Sequence, residues 1–219
     1  MAIVRTTKAP NLVISDREYN NSNEDQFRNQ LRLYFNQVDT LSQNLLNANG
    51  GANLSNPHIA ASHNDDQIAD GDNTPTLVLW DTLEAGSGFT LNANSTATAQ
   101  FTGTYKIDYS LQFANTANTI HDARVWLQVD GVDVPRSSSI FTLAARKSAT
   151  EFNYVLGYSS VTFFCEAGQS FGLYWATDTR FVSGVQDGIY MYNEAAITSP
   201  YTAPANPSAI GSIVYVSRD

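Results

Sequence analysis

Apolar residues follow two different rhythms along this chain. Phe27, Leu31, Tyr34, Val38, Leu41 and Leu45 are separated by four, three, four, three and four positions. That heptad run places all six on one helical seam. Asn23 stands as N-cap with Gln26 at the reciprocal position of a capping box. Glu24 and Asp25 occupy the first turn, where the helix dipole favours anions, and Glu24 pairs with Arg28 one turn on. Asn49-Gly50-Gly51 supplies a left-handed stop. The spacing therefore predicts a helix over 23–49, roughly 37 Å long at about 1.5 Å per residue. The heptad spacing, the length and the glycine break favour a self-associating coiled coil over the alternative, an amphipathic helix lying on a folded domain. Leu33, Phe35 and Leu46 fall outside the seam and need another surface.

From residue 76 the helical spacing gives way to short clusters of β-branched and aromatic residues. They lie at 76–80, 105–111, 124–129, 140–143, 153–156, 161–164, 170–175 and 213–216. One alternates strictly: Tyr105, Ile107, Tyr109 and Leu111 face one way, and Lys106, Asp108 and Ser110 the other, as in a half-buried strand. Asp130-Gly131 between two apolar runs is a strong hairpin signal. About eight to ten short strands with polar turns and no intervening helix predict a jelly-roll β-sandwich. The chain then divides into an extended attachment arm at 1–22, a coiled-coil helix at 23–49, a polar linker at 50–75 and a jelly-roll head at 76–219. In the arm, Ile3, Val4, Leu12, Val13 and Ile14 form small apolar clusters interrupted by Pro10. They have too little apolar surface to fold alone, so the arm is expected to dock on a neighbour.

Charge sharpens this division. The 219 residues carry 12 Lys+Arg and 21 Asp+Glu, a net charge of −9. Residues 1–50 hold five of each sign, so the whole excess falls in 51–219. Binding to nucleic acid through phosphate neutralisation is disfavoured by that balance. Charged residues make up only 15% against 42% hydrophobic, which suits a structural β-rich protein and excludes wholesale disorder. No apolar run approaches the roughly 20 residues of a membrane span, and no secretory apolar region stands near residue 1.

The inventory for chemistry is thin. His58 and His63 lie five apart in the expected linker, which fits no helix-borne zinc motif, and His121 precedes Asp122 in a polar stretch. No serine sits in a nucleophile elbow. Cys165 closes an apolar run, so it reads as a small buried hydrophobe, and alone it cannot form an internal disulfide. Asp65-Asp66 and Asp70-Gly71-Asp72-Asn73 raise calcium, but lack the EF-hand spacing and read better as a solvated acidic loop. Trp80, Trp126 and Trp175 invite comparison with a sugar-stacking platform, although each sits in a strand-like run where core packing is the better reading. No catalytic residue, cofactor site or metal site is expected.

Three regions carry a resemblance. Ala9-Pro10-Asn11-Leu12, Glu18-Tyr19 and Leu31-Arg32-Leu33-Tyr34-Phe35-Asn36-Gln37-Val38-Asp39 resemble the N-terminal module of virion structural and fibre proteins of marine and cyanobacterial bacteriophages. Residues 192–200 and 204–210 resemble the C-terminus of the same group. Gly103-Thr104-Tyr105-Lys106-Ile107 and Val125-Trp126-Leu127-Gln128-Val129-Asp130-Gly131 are similar to complement/tumour-necrosis-factor-like jelly rolls. The resemblance implies a non-enzymatic virion protein with a trimeric knob, in which aromatics drawn from Tyr105, Tyr109, Phe113 or Tyr174 line the threefold axis. It implies homotrimer contacts, an arm bound to other tail, collar or capsid proteins, and contact with a host surface polysaccharide or protein. A capsid decoration protein is the alternative of the same class, and a carbohydrate-binding or depolymerising module the alternative from another.

Overall fold

Strict alternation carries the centre of the molecule: along Gly103–Asn115 the inward positions are buried from Gly103 to Phe113, while the intervening ones are half-buried. The computed structural model describes residues 21–46, 56–184 and 187–217. They form one helix, α1 (Asn21–Leu46), and thirteen strands. In chain order these are β1 (His58–His63), β2 (Thr76–Leu77), β3 (Thr82–Ser87), β4 (Phe89–Leu91), β5 (Ala97–Ala99), β6 (Gly103–Asn115) and β7 (His121–Val129). Then come β8 (Val132–Asp133), β9 (Ser139–Leu143), β10 (Asn153–Cys165), β11 (Ser170–Thr177), β12 (Ile189–Met191) and β13 (Ala209–Ser217).

The strands make two antiparallel sheets. The first runs β10-β6-β13-β1-β3, with β12 also on β6; the second runs β4-β5-β11-β7-β8, with β2 on β11 and β9 on β7. The chain passes back and forth between them, from β5 to β6, β6 to β7, β9 to β10 and β10 to β11. That connectivity makes the sandwich a jelly roll. Inward side chains of both sheets form one core, including Tyr105, Tyr109, Leu111 and Phe113 from β6, Val125 and Leu127 from β7, and Phe171, Leu173 and Trp175 from β11. Phe113 lies 5.9 Å from Trp175 and 5.7 Å from Phe141 between ring centroids. Asp130 and Gly131, both at positive φ, close the β7–β8 hairpin as the sequence predicts.

Three boundaries differ from the sequence reading. The helix already includes Asn21 and Ser22, which the sequence assigns to the arm. Asn21, Ser22 and Asn23 are all good capping residues, so the signal cannot fix the start. The polar linker across 50–75 does not hold beyond Ser55, because the β unit begins at Asn56. β1 is a central strand, hydrogen-bonded to β13 on one side and β3 on the other. Its sequence, HIAASH, has one large apolar side chain, so inter-strand pairing rather than hydrophobicity specifies it. Finally, the apolar runs at 153–156 and 161–164 are parts of the single strand β10. Gly157 sits mid-strand opposite Leu111, where a Cβ would meet Phe113 Cε2 at 2.8 Å. Close packing, not a turn, requires glycine there.

Candidate functional site

The seam residues lie on α1 as the spacing requires. Leu31, Tyr34 and Val38 are half-buried and Phe27 is more exposed, while the side chains of Leu41 and Leu45 lie outside the described residues. Leu33 and Phe35 stand off the seam and are well exposed. Arg28 pairs with Glu24. The arm residues Ile3, Val4, Pro10, Leu12, Val13 and Ile14 lie outside the described residues.

Tyr105, Tyr109 and Phe113 are fully buried between the sheets, so they cannot line an axis between copies. The reason is parity: they occupy the inward positions of β6. Tyr174 alone of the four faces outward, from the second sheet. On β10, Tyr154, Leu156, Tyr158 and Phe164 instead project, exposed, from the outer face of the first sheet. Ile210, Val214 and Val216 project from the same face on β13, two strands away. Between them β6 presents Lys106, Asp108, Ser110 and Gln112. The Lys106 ammonium lies 2.9 Å from the Asp108 carboxylate. Burial pushes that carboxyl upward, but hydrogen bonds from Lys106 and Ser160 outweigh it, so its pKa lies below the ordinary value. The face is thus two apolar rails flanking a polar stripe. The sequence signal for it was present: Tyr154, Val155 and Leu156 make β10 apolar on both faces, which is unnecessary for a strand with one wet side.

The histidines are less bland than their sequence context suggests. His63 is buried with Nδ1 3.2 Å from Asp81 Oδ2, rather than solvated in a linker. Desolvation pushes the Asp81 carboxyl up, but hydrogen bonds from the Asn64 N–H and the Thr82 hydroxyl, with His63 nearby, hold its pKa below the ordinary value. His58 is half-buried beside the Asn56 carbonyl. His121 bridges Thr119 Oγ1, 2.8 Å from Nε2, and Asp178 Oδ2, 3.0 Å from Nδ1. This hydroxyl–imidazole–carboxylate order is that of a nucleophilic triad. The hydroxyl here is a branched secondary alcohol, and the chain ties the start of β7 to the turn after β11.

The acidic loop staples distant backbone. Asp72 Oδ1 accepts the Arg180 N–H at 2.8 Å, Arg180 Nη1 donates to the Asp70 carbonyl at 2.6 Å, and Asp66 Oδ1 accepts the Asn193 N–H at 2.7 Å. Cys165 is buried, and desolvation pushes its thiol pKa up to about 11. Of the tryptophans, Trp175 is core and Trp80 is half-buried over Gly211. Trp126 faces outward on the second sheet beside Tyr174, with ring centroids 6.4 Å apart.

No protein-family model matches the chain, and no curated protein matches it. Among solved structures it is similar to Eiger TNF from S. frugiperda, with a TM-score of 0.45 and 13% identity over 74% of this chain and 95% of that one.

Proposed function

We propose that the chain is a non-enzymatic bacteriophage virion structural protein, a homotrimeric short fibre or knob. In this reading the N-terminal arm binds tail, collar or head proteins, α1 supplies a coiled-coil stem, and the jelly roll faces the medium. The observation that carries it is the pair of apolar rails on β10 and β13 in a chain that also bears a heptad seam. Exposed apolar side chains gathered on one sheet face mark a protein–protein contact, and self-association is the simplest way to cover them. The sequence resemblance of residues 31–39 and 192–200 to phage virion proteins supports the virion setting.

Mass spectrometry of gradient-purified particles tests the proposal. A handful of trimers per particle, lost when residues 1–22 are deleted, is the expected result. Many dozens of copies would favour capsid decoration, and absence from particles would overturn the virion reading.

A further inference from the structure

The outer face of the second sheet carries a different surface. β11 lies between β2 and β7, and its Tyr174 stands directly opposite Leu77 on one side and Trp126 on the other. The three half-buried side chains therefore form a row across three strands, spanning about two strand spacings, roughly 10 Å. The two rings are inclined by only 28° at a centroid distance of 6.4 Å. That is too far for overlap, so neither ring covers the other.

The polar atoms around this row are arranged at its edge. Trp126 Nε1 donates to Asp133 Oδ1 at 2.7 Å, and Gln128 Nε2 donates to the same oxygen at 2.8 Å. The indole edge is thereby fixed and its N–H already satisfied, which leaves the ring face for contact. Arg124, exposed and two residues before Trp126, donates from Nη1 to Ser138 Oγ at 3.4 Å and offers its remaining donors on the opposite flank. An aromatic strip bordered by a carboxylate, an amide and a guanidinium suits a ligand with apolar C–H faces and a hydroxyl rim. A hydrocarbon would use only the row and make no bond to the remaining guanidinium donors of Arg124 or to the second carboxylate oxygen of Asp133. A polyanion would meet a molecule of net charge −9.

We infer that the Leu77–Tyr174–Trp126 row is a binding subsite for an uncharged hexopyranose chain, with Arg124, Gln128 and Asp133 bonding its hydroxyls. The row lies on the sheet opposite the β10 and β13 rails, so covering those rails leaves it open. The inference stands on this sheet alone and holds whether the chain is monomeric or trimeric.

The test is ligand-observed NMR of cellohexaose, maltohexaose and mannohexaose, each titrated with the full-length chain. For at least one sugar we expect upfield shifts of ring C–H protons, the signature of stacking on an aromatic face. Trp126→Ala and Tyr174→Ala should each weaken binding at least tenfold with melting temperature nearly unchanged. Should those variants unfold, Arg124→Ala and Gln128→Ala spare both rings, and each should weaken binding several-fold. No binding by any of the three sugars at millimolar concentration overturns the inference, as does binding that folded variants of either kind leave intact. Neither failure touches the particle or oligomer measurements.

Discussion

Tyr158 on β10 and Ile210 on β13 stand opposite the same residue, Ser110, from the two strands that flank β6. Both point away from the core, 61% and 47% exposed. In the proposed trimer these positions are covered, so Tyr158→Asp with Ile210→Asp would bury two unpaired carboxylates. We expect sedimentation velocity to show dissociation with the melting of the sandwich little changed, since the inward side chains are untouched. A trimer that persists removes this face from the interface. Leu31→Asp with Val38→Asp is the matching experiment on α1: dissociation assigns assembly to the seam, and an unchanged oligomer leaves it to the β unit.

Phe113 packs against Trp175 and Phe141 in the middle of the core. Phe113→Ala should cost about 3–5 kcal/mol, read as a lowered urea midpoint with unchanged slope. A loss under about 1 kcal/mol would mean that this region is not the packed centre described above.

Desolvation first, then the charges of Asp130 and Glu166, raise the Cys165 thiol from 9.0 to about 11. A thiol with a raised folded-state pKa stabilises the fold below its ordinary value and loses that contribution as pH climbs from 9.0 to about 11. Native protein at pH 8 should therefore react slowly with iodoacetamide and rapidly once unfolded. Cys165→Ala should flatten the alkaline limb of the stability profile. Fast alkylation of folded protein would contradict the burial.

Thr119, His121 and Asp178 are the arrangement most at odds with a non-enzymatic reading. If the chain only braces the fold, p-nitrophenyl acetate hydrolysis should stay at the buffer rate and be unaffected by His121→Gln. Turnover that vanishes in His121→Gln would instead make this a catalytic site.

The sandwich was legible because β6 alternates from Gly103 to Phe113 and Asp130-Gly131 marks the β7–β8 hairpin. β1 was not, because a strand built from His, Ala and Ser signals nothing through hydrophobicity and is fixed by its two neighbours. The aromatics posed the harder problem: Tyr105 and Tyr158 look alike in sequence, and only the strand pairing tells which faces the core. Trp126 and Trp175 likewise differ by parity, since both occupy strands of one sheet. His63 was misplaced with the linker that contained it, and its contact with Asp81 joins residues that lie on either side of β2.

The proposed function requires that this chain associate in threes. Multi-angle light scattering on the purified full-length protein tests it directly. A trimer gives 72 kDa, three times the 24.0 kDa chain mass; a value of 24.0 kDa would contradict threefold association and leave the rails on β10 and β13 without a partner copy.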